Sequence, residues 1–117
     1  MMDEILAVES AAVELETWQP EGVTILAGDP AGRGFTLFED FEHGARGTGV
    51  FECDPGKTTY TLEYNEIIYV LEGEVTIELA NGSKVDLRPG MQAFLPAGHL
   101  STWTFHSKFR EVWVLAD

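Results

Sequence analysis

Gly90-Met91-Gln92-Ala93-Phe94-Leu95-Pro96-Ala97-Gly98-His99-Leu100-Ser101 is the stretch that decides how this chain folds. Gly90 and Pro96-Ala97-Gly98 are turn formers, and the short apolar run Ala93-Phe94-Leu95 lies between them. The pattern predicts a turn, a short strand, a second tight turn and a further strand beginning near Ser101. Upstream, Glu66-Ile67-Ile68-Tyr69-Val70-Leu71-Glu72-Gly73 is an apolar, β-branched run closed by glycine. That is the pattern of a buried strand ending in a turn.

Working outward, the remaining segments read as more short strands. In Glu74-Val75-Thr76-Ile77-Glu78-Leu79, apolar and polar residues alternate with period two. Asn81-Gly82, the favoured type I′ hairpin dipeptide, leads back into Lys84-Val85-Asp86-Leu87. Val50 to Cys53 stops at the turn Asp54-Pro55-Gly56-Lys57, and Thr58 to Leu62 is rich in strand-forming Thr and Tyr. Thr102 to Phe105 and Glu111 to Leu115 complete the C-terminal part. On the N-terminal side, Val23 to Ala27 and Phe35 to Phe38 are strand candidates, and Asp40 to Gly49 is a polar, Gly-rich loop. Val13, Leu15 and Thr17 alternate with Glu14 and Glu16 as a half-exposed strand would. The first dozen residues fit either a short helix or disorder. The pattern is about ten short strands at roughly 8–12-residue spacing, an all-β sandwich or barrel with little helix. It divides into an acidic N-terminal arm, residues 1–20, and a barrel, residues 21–117.

A length of 117 residues suits one domain with its own core. Twelve glycines and five prolines are too many for a helical bundle and suit tight turns. The net charge of −13 argues against nucleic acid and against an anionic membrane surface, both of which call for Lys and Arg. It fits either simple solubility or a cationic substrate or partner. The acid is uneven. Residues 1–21 hold Asp3, Glu4, Glu9, Glu14, Glu16 and Glu21 with no Lys or Arg, while Lys108 and Arg110 lie near the other end. Contact between these ends, within or between chains, is an open expectation. Cys53 is the sole cysteine, so no internal disulfide forms, as expected of a reducing compartment. The N-terminus lacks the pattern of a signal peptide, and no apolar run approaches the roughly 20 residues of a membrane helix. A cytoplasmic protein is the expectation.

Two spacings resemble those of the cupin superfamily of RmlC-like jelly rolls. Glu66 and Gly73 match the end of its first motif, Glu, six residues, Gly. Gly90, Pro96 and Gly98 match its second, Gly, five residues, Pro, one residue, Gly. A narrower resemblance runs from about Gly28 to Val114. Its residues are Gly49 to Gly56, Asn65-Glu66, Leu71-Glu72-Gly73, Pro96-Ala97-Gly98 and Thr102-Trp103. These look like the small single-domain cupins of unknown function related to the ureidoglycine aminohydrolase cupin domain and the ethanolamine-utilisation cupin. That group usually carries Trp where this chain has Phe51. The resemblance implies a jelly-roll β-barrel (a double-stranded β-helix) and a homodimer.

It also implies where chemistry would sit. Metal-binding cupins hold Fe, Mn, Zn or Ni through two His and one Glu of the first motif and one His of the second. Counting back from Glu66 puts the two His positions at Thr59 and Thr61, and counting on from Gly98 puts the third at Ser101. Of the four, only Glu66 is a good ligand, so no metal or other cofactor is expected. A shifted set of Glu66 and His99, with Cys53 or His106 as remote partners, is the alternative route to a divalent transition metal. His99 otherwise reads as a turn residue bonding backbone at the barrel rim, and His43 as a solvated loop residue.

Strand alternation, set in the family register, predicts the cavity lining. Thr59 and Thr61 share one face, Glu66, Ile68 and Val70 another, and Ser101, Trp103 and Phe105 a third. Phe51, Cys53 and His99 are placed beside them. Tyr60, Tyr64 and Tyr69 take the opposite parity or lie in a loop, and Tyr69 with Ile67 suits a sheet or dimer contact. A Glu66 carboxyl buried among apolar groups has a raised pKa, which suits a general acid or base, unless it is a structural group tied to a hydroxyl. Trp103 either fills the barrel or stacks on a ligand. Cys53 is a small buried hydrophobe or, with a base nearby in space, a nucleophile.

Three functions remain open. One is binding of a small polar metabolite in a metal-free barrel. The second is an enzyme, a C–N hydrolase or isomerase of a ureido or amino metabolite with Glu66 as acid or base. The third is a non-catalytic accessory or structural role.

Overall fold

The computed structural model describes residues 4–44 and 46–116. Among these residues there are eleven β-strands and no helix, arranged in two antiparallel sheets. The first sheet has the order β1 (Glu16–Thr17), β3 (Arg33–Asp40), β4 (Arg46–Cys53), β11 (Phe109–Ala116), β6 (Asn65–Glu72), β9 (Gln92–Leu95). The second has the order β2 (Thr24–Gly28), β5 (Gly56–Thr61), β10 (Leu100–Phe105), β7 (Val75–Leu79), β8 (Lys84–Leu87). The chain alternates between sheets, as a jelly roll does. Among the described residues, no helix long and apolar enough to cross a membrane is present.

Alternation drives the packing. In β7, Val75, Ile77 and Leu79 are buried, while Thr76 and Glu78 are not. Val70, Val75, Ile77, Leu87, Leu95 and Phe109 belong to one apolar cluster drawn from both sheets. Each such side chain contributes on the order of 1.5–3 kcal/mol through burial. This cluster closes its part of the interlayer space. Residues of β3, β4, β5, β10 and β11 bound the part that stays open.

Two turns differ from the sequence expectation. The hairpin at Asn81-Gly82 is not a two-residue type I′ turn. Gly82 N–H donates to Leu79 O at 2.9 Å and Leu79 N–H to Ser83 O at 2.8 Å, which makes a three-residue loop. Gly82 has positive φ and Asn81 does not, whereas type I′ requires both. Of the polar stretch from Asp40 to Gly49, both ends are strand. β3 reaches Asp40 and β4 starts at Arg46, because pairing of β4 with β3 and β11 satisfies its backbone. Cross-strand pairing overrides a composition that alone reads as loop.

β11 is the central strand of its sheet, flanked by β4 and β6. Glu111 lies opposite Phe51 on one side and Val70 on the other, so it faces inward. A register irregularity between Arg110 and Glu111 sets Glu72 opposite Arg110 on the outer face, although Val70 faces in. Outside, Arg110 donates from Nε to Ser10 O and from Nη2 to Val13 O, both at 2.9 Å. Its Nη1 reaches Glu52 Oε1 at 3.2 Å, and Arg33 Nε reaches Glu52 Oε2 at 2.7 Å. The basic end thus does hold the N-terminal arm, but through backbone carbonyls and not through its acidic side chains. Burial opposes ionisation of Glu52. Hydrogen bonds from the two arginines outweigh it and hold that carboxyl below its usual range.

Gly73 shows how tightly the motif glycine is required. It has φ +81°, and a Cβ there would collide with the Lys108 carbonyl. Gly73→Ala is expected to destabilise the protein by at least about 2 kcal/mol. Gly82→Ala, with φ +93° and open space around it, is expected to lose only about 1 kcal/mol. Urea unfolding midpoints of the two variants check this ordering.

Candidate ligand cavity

Between the sheets lies a cavity of about 410 Å³. Its walls are a chain of aromatic contacts. Tyr60 and Trp103 have ring centroids 5.9 Å apart, Trp103 and Phe105 6.0 Å, and Phe105 and Phe51 6.5 Å. Phe51 meets Trp18 edge-on at 5.9 Å, and Trp18 stacks on Trp113 at 6.2 Å. Trp113 lies flat because Gly49 is beneath it. A Cβ on Gly49 would approach the indole to 2.7 Å. Trp18 comes from the arm. Its N–H bonds Gly32 O at 2.9 Å, and pairing of β1 with β3 holds the segment in place. At 39% exposure it forms the outer wall with Gln19, Pro20, Glu21 and Val23. Phe41 and Tyr64, 5.6 Å apart, flank the mouth.

Two carboxyls face this aromatic space. Glu66 on β6 is 8% exposed and Glu111 on β11 only 2%. The Tyr60 hydroxyl donates to Glu66 Oε1 at 2.5 Å. Burial pushes the Glu66 carboxyl up to about 7, against the opposing pull of the Tyr60 hydrogen bond. Burial, together with the charge on Glu66, holds Glu111 well above the usual carboxyl range. Burial and the same carboxylate raise the Tyr60 phenol, so it stays a donor. The two acids behave as a pair, since ionising one makes the other harder to ionise. Glu111 Oε1 and Trp113 Nε1 are both buried without a hydrogen-bond partner among the described residues.

The structure redistributes the residues named from sequence. Glu66, Trp103 and Phe105 line the cavity, and Thr61 touches it at the exposed rim. On β5 the inward face is Thr58 and Tyr60, not Thr59. Ser101 pairs with Tyr60 and Trp103 with Thr58, while Thr59 pairs with Thr102 on the opposite face. The count back from Glu66 is out of step by one residue, and in a strand one residue exchanges the faces. Ser101 is sealed from the cavity as a strut. Its Oγ donates to Tyr60 O at 2.7 Å and accepts from Trp103 Nε1 at 2.9 Å. Cys53 and Ile68 are in the apolar cluster. His99 is half-buried in the turn, where its carbonyl accepts from Leu62 N–H at 2.9 Å. His106 lies on the outer face, its Nε2 2.7 Å from Thr76 Oγ1. His43 is 3.1 Å from Asp40 Oδ2 on the surface.

Glu111, Tyr60, Thr58, Trp18 and Trp113 are among the cavity residues that the sequence reading missed. A signal for Glu111 existed. It shares strand parity with Phe109 and Trp113, so an acid sits on an otherwise apolar face.

The donor set does not fit a transition metal. At and beside the expected ligand positions stand Tyr60, whose phenol is raised by burial, the hydroxyls of Thr59 and Thr61, Ser101 already bonded on both sides, and the single carboxyl of Glu66. Among the described residues, no three His, Cys, Asp or Glu side chains converge as a metal site. The shifted set of Glu66 and His99 with Cys53 or His106 is not assembled.

Two antiparallel sheets around a central cavity, with both glycine-bearing motifs at their turns, define a cupin. The match to known families is narrower: the EutQ-like cupin domain covers residues 42–113, more than half of the chain, and the chain belongs to this family. A putative ethanolamine utilization protein EutQ from Salmonella typhimurium is 23% identical, with TM-score 0.65 over 74% of this chain and 69% of that one. The Clostridium difficile EutQ protein is 27% identical, with TM-score 0.64 over 74% and 68%. The polyketide cyclase RemF from Streptomyces resistomycificus is 24% identical, with TM-score 0.68 over 97% and 80%. No curated protein matches the chain.

Two measurements test this picture. Cys53 is fully buried, and burial followed by the Glu111 charge raises its thiol far above the ordinary range. It should react with a disulfide reagent such as DTNB only as fast as the protein unfolds. Fast labelling of folded protein would contradict the buried placement. Glu66 ionises more readily in the unfolded chain than in the folded one, so its burial increasingly disfavours the native state as pH rises from about 4.5 to about 7. Glu66→Gln removes this term. Its stability relative to the parent should therefore climb by up to about 3 kcal/mol between pH 4.5 and pH 8. Urea unfolding across that pH range reads the difference, and a flat difference would refute the raised value.

Proposed function

We propose that this protein binds a small polar metabolite inside the barrel, held by the Glu66–Glu111 pair within the aromatic walls. One observation carries this reading. Glu111 and Trp113 line a cavity of about 410 Å³, and each carries a buried polar atom, Oε1 and Nε1, that has no hydrogen-bond partner among the described residues. Buried polar groups are nearly always satisfied in folded proteins, so a ligand that completes both is the natural occupant. The reading places the protein in the cytoplasm as a homodimer. In support of a dimer, Tyr69 and Phe94 are exposed on the outer face of the six-stranded sheet, beside the half-buried Ile67, Val112 and Val114. A second copy covering that apolar face would bury it.

A second reading is favoured by the Tyr60–Glu66 bond and by a carboxyl pushed up to about 7. A group with that pKa can take or release a proton near neutral pH, as hydrolysis or isomerisation of a ureido or amino substrate requires. In this reading Glu66 is the acid–base residue and Tyr60 its positioning donor.

All three tryptophans of the chain line the cavity, so occupancy should change their emission. A metabolite library screened by thermal shift and tryptophan fluorescence should yield binders. Glu111→Gln should weaken the best of them by about tenfold or more. A library with no binder would point to an accessory role, and a ligand seated only outside the barrel would refute the site. For any compound that turns over, Glu66→Gln should lower the rate by about 10²–10⁴. Unchanged turnover would remove the enzymatic reading.

A further inference from the structure

We infer that the ligand is a small organic cation, a protonated primary or secondary amine that carries a hydrogen-bond acceptor and an apolar body. The inference rests on the barrel being a ligand site and deepens that reading.

Charge is the first ground. Glu66 and Glu111 face the interior, and the exposed Glu21, Glu39 and Glu63 border the mouth. Among the described residues lining the cavity there is no Lys, Arg or His. A net charge of −13 adds a field that draws cations toward the opening and repels anions. The second ground is the wall. Indole, phenol and phenyl faces attract a desolvated cation through their electron-rich surfaces, and Trp18, Trp103 and Trp113 all border the space. The third ground is independent of both. Glu111 is 2% exposed, lines the cavity, and has its Oε1 buried with no hydrogen-bond partner among the described residues. An N–H of an ammonium satisfies it, whereas a quaternary ammonium has none to give. Trp113 Nε1 is the matching unpaired donor and sets the demand for an acceptor elsewhere on the ligand.

Proton balance follows. Without a cation the pair holds a proton at neutral pH, because both acids are raised by burial and Glu111 further by the charge on Glu66. The other titratable groups around the pair are Tyr60 on β5 and Cys53 on β4, both raised and neutral, and the three rim glutamates. An ammonium that enters replaces the proton as the positive partner, and the proton leaves to solvent. Affinity for the amine therefore rises with pH, by up to about tenfold per unit while one proton is released.

The test compares matched probes on the intact protein. n-Butylamine and benzylamine are set against n-butanol and benzyl alcohol, and against butyrate and benzoate, by calorimetry and tryptophan fluorescence from pH 6 to pH 8. The methyl ethers of amino alcohols supply the acceptor arm. The expected result is amine binding at least tenfold tighter than its alcohol, with the carboxylate weakest. Amine affinity should increase with pH, and calorimetry in buffers of different ionisation enthalpy should show proton release. Glu111→Gln and Glu66→Gln should each remove most of the preference for the amine and keep binding of the alcohol, which also shows that the barrel remains folded. Alcohols or carboxylates that bind as tightly as amines would overturn the cation assignment and leave the barrel as a ligand site. If neither these probes nor a broad metabolite library binds, the barrel reading falls, and this inference with it.

Discussion

Two buried carboxyl groups that share one aromatic-walled cavity, with no basic side chain among its described lining residues, are the constraint around which the interior is arranged. A lone buried carboxylate is disfavoured by several kcal/mol, and a second one nearby is disfavoured further. The molecule meets this by protonation and by one hydrogen bond. Tyr60 donates to Glu66, and burial disfavours ionisation of Glu111, whose Oε1 is unpaired among the described residues. The aromatic belt from Tyr60 through Trp103, Phe105 and Phe51 to Trp18 and Trp113 supplies the apolar surroundings that disfavour the charged forms of the two carboxyls. The sheets supply the rigidity, since every one of these groups except Trp18 sits in a paired strand.

The two faces of a single sheet show how environment decides the fate of the same chemical group. Glu52 and Glu111 lie on neighbouring strands, and both are buried. Glu52 points outward to Arg33 and Arg110 and is ionised more readily than usual. Glu111 points inward to aromatic rings and is ionised less readily. The outer cluster matters to the inner one. Arg110 ties down the backbone at Ser10 and Val13, and the arm that follows carries Trp18 to the cavity. A segment that reads as an acidic appendage is in this way a wall of the site.

Much of the architecture was legible because strand patterns are local. Alternation in Val75 to Leu79, the turn at Asp54-Pro55-Gly56, and the paired spacings of Glu66–Gly73 and Gly90–Gly98 all led to observed strands and turns. The failures were of two kinds. Thr59 was placed inward where Thr58 and Tyr60 belong, because a count along the chain cannot register a single-residue slip between two paired strands. Asp40 to Gly49 read as loop because its residues are polar, and the hydrogen bonds that make it strand come from distant partners.

By itself, the sequence determined the all-β class, the cupin motifs, the absence of the usual histidine ligands and the prominence of Glu66 and Trp103. All of these depend on residue identity and short spacings. Tertiary structure alone decided that Glu111 shares the cavity with Glu66, that Tyr60 and not Thr59 is the hydroxyl bonded to Glu66, and that Trp18 walls the cavity. Glu66 and Glu111 stand on adjacent strands far apart in the chain, and their interaction exists only through the register of β11 against β6. Burial shared between distant residues is a property of the assembled sheets, and no local pattern encodes it.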